Sequence, residues 1–256
     1  MVVKEISYSG SFDFKAVKYE MIQLSSFGKL LIFVEGDESI NSDVCKWISI
    51  WIKEYNVKSD RLRVLEELII RTNSKLLEMN KENKNKAYVS LSLIYIEDEK
   101  RWFVNYGGNC VVSCKKDNER DKFGPGVKFC SENFISLGRG EIHKIEYELI
   151  IDTKSEKGII EIKDKKIVKS GRNIFNVQQK KYINKNGTER ILVFGSEYCK
   201  FLKNYEIDCA GFINKNVSLD VVVDNIQKSI QRYVINRTNN GNQYNCLTGI
   251  VIEIVI

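Results

Sequence analysis

The sequence contains a single proline, a single histidine and no long apolar run among its 256 residues. A helix that spans a bilayer needs about 18 or more consecutive apolar residues, and no stretch approaches that length. The first ten residues lack the basic and then apolar pattern of a secretory signal peptide. We therefore expect a cytoplasmic protein with no membrane partner.

Catalytic and metal-binding signatures based on histidine and cysteine are also missing. The one histidine, His143, lies among alternating apolar and polar neighbours and is expected to face solvent. The seven cysteines form no C-x-x-C pair, so they indicate neither a zinc site nor a disulfide framework, and all seven are expected to be thiols. No G-x-S-x-G, P-loop or H-E-x-x-H motif occurs.

The positive charge of the chain is spread over its surface loops. The net charge is +6, from 40 Lys and Arg residues against 34 Asp and Glu residues. Basic runs such as "NKENKNK" contain no aromatic residues, whereas single-stranded nucleic acids bind where basic and aromatic side chains are combined. We expect no nucleic-acid partner. A basic nucleic-acid-binding domain remains a second alternative, which steeply salt-dependent binding would reveal.

The order of predicted elements indicates one domain of the α+β class. Strands are predicted at "FKAVKYEMIQL", "KLLIFVEG", "YVSLSLIYI", "RWFVNY", "CVVSC", "ILVFGS" and "LTGIVIEI", with several short strands between residues 116 and 187. Two amphipathic helices follow the second strand, and another precedes the last. Because the sequence has no repeat and no linker, residues 1–256 are predicted to form a single domain of antiparallel sheets and helical layers.

The first predicted helix carries two tryptophans, Trp47 and Trp51, one turn apart. We expect both indoles to face the sheet. Replacing Trp51 by Ala would then cost about 3–5 kcal/mol if the side chain is fully buried. The second helix is expected to have Ser59 as its N-cap residue.

Several motifs place small or polar residues at the end of a predicted strand. "LLIFVEGDES" ends in Glu35-Gly36, "WFVNYGGNC" leads into a Gly-Gly-Asn-Cys turn, "ILVFGSEYCKFL" turns at Ser196, and "NCLTGIVIEI" follows Asn245. In this order they resemble the motifs of the PPM-type (type 2C) metal-dependent serine/threonine protein phosphatases, over nearly the whole chain. The resemblance implies a four-layer αββα sandwich, in which two antiparallel sheets are flanked by helices.

The resemblance also implies a site for magnesium or manganese. The positions that match metal ligands of the family, here called the remnant set, are Glu20, Glu35, the Gly36 carbonyl, Ser196 and Asn245, and a reshaped turn could add Asp37 or Glu197. Lys15 matches a phosphate-binding arginine, although an ammonium lacks the bidentate fork of a guanidinium. Glu35, Ser196 and Asn245 are expected to cluster at one edge of the sandwich.

The remnant set has fewer anions than a dinuclear centre needs. Two divalent cations about 4 Å apart repel each other by roughly 16 kcal/mol at an effective dielectric constant of about 20, and converging carboxylates must offset this. Ser196 and Asn245 are neutral where the family has aspartates. We therefore expect at most a weakly held magnesium or manganese ion. The prediction is a pseudophosphatase that binds or regulates a protein partner, such as a phosphoprotein or a protein kinase.

Two further interpretations remain open. A rearranged metal site would make the chain an active, divergent metal-dependent serine/threonine protein phosphatase. Alternatively, Glu20 and Glu35 are ordinary exposed strand-end residues and Lys15 is a solvated lysine, with no part in any site. No residue is assigned a catalytic role on the sequence alone.

Overall fold

The computed structural model describes residues 2–8, 16–24, 28–36, 38–55, 60–97, 100–117, 122–123, 127–130, 136–151, 154–163, 166–173, 188–196, 198–199, 210–238 and 247–255. In chain order the elements are β1 (Val2–Tyr8), β2 (Ala16–Gln23), β3 (Gly28–Gly36), α1 (Glu38–Trp51), α2 (Arg61–Glu82), β4 (Val89–Glu97), β5 (Lys100–Tyr106), β6 (Cys110–Asp117), β7 (Lys122–Phe123), β8 (Val127–Cys130), β9 (Lys144–Ile151), β10 (Lys154–Lys163), β11 (Lys166–Asn173), β12 (Thr188–Phe194), α3 (Ala210–Ile213), α4 (Leu219–Thr238) and β13 (Leu247–Val255). A 3-10 helix, Ile52–Glu54, follows α1.

The chain divides into two compact units, each assembled from separate stretches of sequence. The seven-stranded unit comprises Ala16–Asn109 and Ser131–Gln179. The six-stranded unit comprises Met1–Lys15, Cys110–Cys130 and Lys180–Ile256. Each unit therefore contains one sheet.

The seven-stranded unit holds an antiparallel sheet in the order β11-β10-β9-β5-β4-β3-β2. On β3, Leu30, Ile32 and Val34 pack in a core with residues of α1 and α2, and this side is called the helix-covered face. Successive side chains of a strand point to opposite sides, so Phe33 and Glu35 lie on the opposite face. Every residue of β3 except Lys29 is buried, which explains why its sequence is a nearly continuous apolar run.

The six-stranded unit holds an antiparallel sheet in the order β1-β13-β12-β6-β7, and β8 also pairs with β6. Val222, Ile226 and Ile230 of α4 form a core with Leu192 of β12 and Val251 of β13. The spacing of the three helical residues, four positions apart, places them on one side of the helix. The helix predicted before the last strand is therefore present, with an apolar side in the core.

The two tryptophans of α1 stack on each other, with ring centroids 6.2 Å apart, but neither is fully buried. Both are covered by cations of α2: the Arg71 guanidinium lies 4.6 Å from the centroid of the Trp51 ring, and the Lys75 ammonium 5.3 Å from that of Trp47. The aliphatic residues that α1 buries completely or nearly so are Ile40, Val44 and Ile48. Both indoles nevertheless pack against the core of the helix-covered face. What the structure corrects is the condition of full burial, since both rings are only half-buried.

Replacing Trp51 by Ala should consequently destabilise the protein by only about 1–3 kcal/mol, through loss of the indole pair and of the contact with Arg71. Chemical denaturation would measure the change. Ile50→Ala, at a neighbouring side chain that is 52% exposed, is the matched control and should stay within about 0.5 kcal/mol of wild type. A loss of about 4 kcal/mol or more for Trp51→Ala would show that this ring is a core residue after all.

The second helix begins one residue later than expected. Asp60 is its N-cap, because the side-chain Oδ1 accepts a hydrogen bond of 3.0 Å from the backbone N–H of Leu62. Ser59, the predicted cap, lies outside the described residues. An aspartate at this position also interacts favourably with the positive end of the helix dipole.

The cysteines differ from one another in chemical state. Cys45, Cys114 and Cys199 are buried free thiols, and burial raises the pKa of Cys45 to about 12. Cys110, in contrast, is disulfide-bonded, and its Cα partner in the register of β6 and β8 is Cys130. The expectation of seven thiols is therefore wrong for Cys110.

The predicted fold class is confirmed, since the chain is α+β with two antiparallel sheets and accompanying helices. His143 is exposed, as expected. Among the described residues, no helix is both long enough and apolar enough to cross a membrane. The cytoplasmic location and the single domain of residues 1–256 remain predictions.

Candidate functional site

Glu35 and Gly36 form the end of β3, as the sequence motif predicts. Glu35 lies opposite Val17 of β2 and Ser90 of β4, and directly opposed residues of antiparallel strands share a face. The Glu35 side chain is only 1% exposed. A buried carboxylate at a strand end is the kind of group that a cation site requires.

Gly36 is held by close packing as well as by its carbonyl. The Asn41 Nδ2 of α1 donates a hydrogen bond of 3.3 Å to the Gly36 carbonyl oxygen. A Cβ atom on Gly36 would lie 2.5 Å from the Tyr88 carbonyl oxygen and 2.8 Å from the Val89 Cγ1. Because the first of these atoms is backbone and cannot easily move, glycine has a purely structural reason to stand at this position.

Polar side chains gather around the turn that follows β5, and we call this group the turn cluster. Its side-chain members are Ser90 and Ser92 of β4, Asn105 of β5 and Asn109 of the turn, all buried. The Ser90 hydroxyl donates to the Gly107 carbonyl oxygen at 2.8 Å. The Asn109 Nδ2 donates to the Ser92 hydroxyl oxygen at 3.0 Å, and the Asn105 Nδ2 donates to the Asn109 carbonyl oxygen at 3.2 Å.

The turn cluster shares a sheet face with Glu35, because Ser90 is opposite Glu35 and Ser92 is opposite Asn105. All four of its side chains are neutral. The sequence analysis missed Ser90, Ser92 and Asn105, although serine and asparagine inside otherwise apolar strands were a signal that could have found them.

Glu20 occupies a different environment from Glu35. It lies inside β2, opposite Ile32, and therefore on the helix-covered face. The Ser49 hydroxyl of α1 is 2.9 Å from the Glu20 Oε1 and also 2.8 Å from the Cys45 carbonyl oxygen. Since Glu20 and Glu35 lie on opposite sides of one sheet, the structure does not bring them together, and the expectation that they share a site is corrected.

Ser196 lies just beyond β12 in the six-stranded unit, and it is buried. The turn before it is fixed by two backbone hydrogen bonds, from the Gly195 N–H to the Thr248 carbonyl oxygen at 2.9 Å and from the Cys199 N–H to the Gly195 carbonyl oxygen at 3.0 Å. The second bond has the spacing of a helical turn. A neutral hydroxyl thus stands where the sequence resemblance implied a metal-binding carboxylate.

The remaining predicted site residues, Lys15, Asp37, Glu197 and Asn245, lie outside the described residues. Within the described ranges, no three His, Cys, Asp or Glu side chains form a group that could hold a metal ion. The residues next to Glu35 on its face carry neutral hydroxyls and amides, whereas the buried Arg101 and Glu148 lie further across the same face. The Gly36 carbonyl already accepts from Asn41. The donors present in the described part therefore do not fit a dinuclear magnesium or manganese centre.

Several solved structures are similar to this chain in fold. No protein-family model and no curated protein matches the sequence. A bacterial serine phosphatase is similar with a TM-score of 0.58 and 9% identity, covering 99% of this chain and 98% of that one. The serine/threonine phosphatase Stp1 from Staphylococcus aureus is similar with a TM-score of 0.58 and 9% identity, covering 98% of this chain and 94% of that one.

A third similar structure contains the PP2C phosphatase domain of SpoIIE from Bacillus subtilis, with a TM-score of 0.50 and 14% identity, covering 99% of this chain and 64% of that one. At such identities the likeness concerns the fold and carries no site residue across. The resemblance seen in the sequence motifs is thereby confirmed in the fold, and the chain has the architecture of the PP2C-type (PPM-type) serine/threonine phosphatases.

Proposed function

We propose that this chain is a pseudophosphatase, which binds or regulates a phosphoprotein or a protein kinase without metal-dependent turnover. The observation that carries the proposal is the separation of Glu20 from Glu35 by the thickness of the seven-stranded sheet. One of the two carboxylates inferred for the metal site is thereby used elsewhere, as an acceptor for Ser49 of α1.

Charge balance supports the same conclusion. A two-metal hydrolase stabilises the attacking and leaving oxygens of phosphate transfer with both cations, and several carboxylates must offset their repulsion. The described residues directly beside Glu35 on its face are the neutral side chains of the turn cluster. The buried carboxylate of Glu148 is on the same face but belongs to β9, which β4 and β5 separate from β3, and Arg101 of β5 adds a positive charge to this face. Ser196 is neutral as well. This donor set leaves the second cation without enough negative charge.

The competing function is hydrolysis of phosphoserine or phosphothreonine by a divergent but active phosphatase. The fold favours it, since the similar solved structures are serine/threonine phosphatases. Activity would require carboxylates from Asp37 or other residues beyond the described ranges to join Glu35. The two proposals differ in a measurable property, which is manganese-dependent hydrolysis of a phosphate ester.

We expect wild type to show no manganese-dependent hydrolysis of p-nitrophenyl phosphate and no saturable manganese binding by calorimetry. The double variant Ser196→Asp with Asn245→Asp should gain manganese binding, because two carboxylates replace neutral side chains at positions that match metal ligands of the family. Its melting temperature should then rise with added manganese, and a hundredfold excess over Kd corresponds to about 2.7 kcal/mol. Turnover should remain absent or very low, since water activation needs geometry as well as charge.

The two single variants, Ser196→Asp alone and Asn245→Asp alone, are the matched controls. Each adds only one carboxylate and should gain less manganese affinity than the double variant. Equal manganese affinity of wild type and the double variant would contradict the assignment of these two positions to a metal site. Efficient turnover by wild type in manganese, lost in chelator, would overturn the pseudophosphatase proposal and leave the active phosphatase.

A further inference from the structure

The helix-covered face of the seven-stranded unit contains a cavity of about 240 Å³. Its apolar walls come from three elements, namely the end of β2, the 3-10 helix and the first turns of α2. The residues that form them are Ile22, Leu24, Ile52, Val64 and Leu65. We call this space the α2 cavity.

The α2 cavity is distinct from the remnant set. Ile22 is opposite Leu30, whose side chain belongs to the core beneath α1 and α2, whereas Glu35 points to the other side of the same strand. A ligand in the cavity would therefore not contact Glu35 or the turn cluster. The α2 cavity is therefore a candidate ligand-binding site separate from the remnant set.

The rim of the α2 cavity is polar and carries positive charge. Its polar residues are Gln23, Lys53, Tyr55, Arg61 and Tyr95, and the described residues that line the cavity include no aspartate or glutamate. Burial raises the pKa of both Tyr55 and Tyr95, so these phenols are neutral at neutral pH. The charges on the lining are therefore those of Lys53 and Arg61.

Arg61 is held in place at this rim. Its Nη2 lies 3.3 Å from the Glu97 Oε1, and its guanidinium carbon lies 5.2 Å from the centroid of the Tyr95 ring. Glu97 offsets part of the positive charge but does not line the cavity. A guanidinium that is already fixed loses little freedom when it meets an anion, and its planar donors suit a carboxylate.

From this combination of an apolar cavity and a cationic rim, we propose that the α2 cavity binds a small monoanion with an aromatic body, such as an arylacetate. An apolar cavity of about 150 Å³ accommodates benzene. The larger α2 cavity has space for one ring and a short acidic side chain, with the ring against the aliphatic walls and the carboxylate near Arg61 and Lys53. The absence of an acidic lining residue among those described disfavours a cationic ligand at the same place.

The test uses 4-fluorophenylacetate as the probe and follows its ¹⁹F resonance during titration with the wild-type chain. We expect saturable binding with a Kd on the order of 1 mM, as befits a ligand of this size. The neutral analogue 4-fluorobenzyl alcohol should bind more weakly. Arg61→Gln and, separately, Lys53→Gln should weaken probe binding, the former by about tenfold.

Arg63→Gln is the matched control, because it removes the same charge from α2 at a side chain that is 72% exposed and outside the lining. It should leave the Kd unchanged. Val64→Phe should block the cavity, and thermal melting would verify that this variant is folded; Lys53→Gln remains informative if it is not. Absence of saturable binding, an equal effect of Arg63→Gln and Arg61→Gln, or undiminished binding by folded Val64→Phe would overturn the proposal.

Discussion

The Gly107→Ala substitution should lower the free energy of unfolding by about 3–5 kcal/mol, an unusually large loss for the addition of one methyl group. Gly107 has a φ of +102°, a backbone conformation that L-residues rarely adopt. In addition, a Cβ atom there would lie 2.5 Å from the Ser90 Oγ and 2.7 Å from the Ser90 Cα. The backbone of β4 would have to shift, and the hydrogen bond from Ser90 to the Gly107 carbonyl would be disturbed. Urea denaturation would measure the loss.

Gly140→Ala is the control for Gly107→Ala, since no atom lies within 4 Å of a Cβ built on Gly140. This exposed change should be neutral or slightly stabilising, because alanine restricts the unfolded chain more than glycine does. If both alanine variants were equally stable, the turn cluster would be a loosely packed region that accommodates an added side chain.

The second large effect concerns the dependence of stability on pH. Glu66 of α2 is only 3% exposed. Burial first, and then the negative charges of Asp60 and Glu67, raise the pKa of this carboxyl from 4.5 to about 8, while Arg63 acts in the opposite direction. The folded state therefore keeps the proton that the unfolded state has already lost above pH 4.5. The contribution of Glu66 to the free energy of unfolding should be fully present below about pH 4.5. It should decrease as the pH rises towards about 8.

Between about pH 4.5 and about pH 8, the free energy of unfolding should fall by up to about 1.4 kcal/mol for each pH unit. Glu66→Gln, which resembles the protonated acid, should remove this slope and should be the more stable protein by several kcal/mol near pH 8. Denaturant midpoints measured at a series of pH values would reveal both effects. Glu78→Gln, at an exposed position of the same helix, should retain the wild-type pH dependence. Parallel pH profiles for wild type and Glu66→Gln would show that Glu66 ionises normally in the folded protein.

The strands were the most predictable part of the molecule. The run Leu30 to Val34 and the run Ile191 to Phe194 are continuous apolar segments because both sides of these strands are buried. Such runs reveal where a strand lies. They do not reveal which of its residues share a face with those of another strand, since this depends on the pairing register.

Glu20 shows the consequence of that difference. The sequence motifs matched both Glu20 and Glu35 to metal ligands of one site. In the structure Glu20 is opposite Ile32 and Glu35 is opposite Val17, so the two carboxylates lie on opposite sides of the sheet. Likewise, helical spacing identified Trp47 and Trp51 as neighbours, which they are. It could not show that Arg71 and Lys75 from another helix would cover them. The turn cluster depends on contacts between β4 and the turn after β5, which no local pattern encodes.

The pairing of β1 with β13 determines the order in which the six-stranded sheet can assemble. These strands match from Val2 opposite Glu253 to Tyr8 opposite Leu247, although nearly the whole chain separates them. Because β13 lies between β1 and β12, neither neighbour can complete its ladder before β13 has left the ribosome. Closing so long a loop is entropically unfavourable and slow. The seven-stranded sheet, in contrast, contains hairpins between successive strands, such as β2 with β3 and β9 with β10, which can pair while synthesis continues.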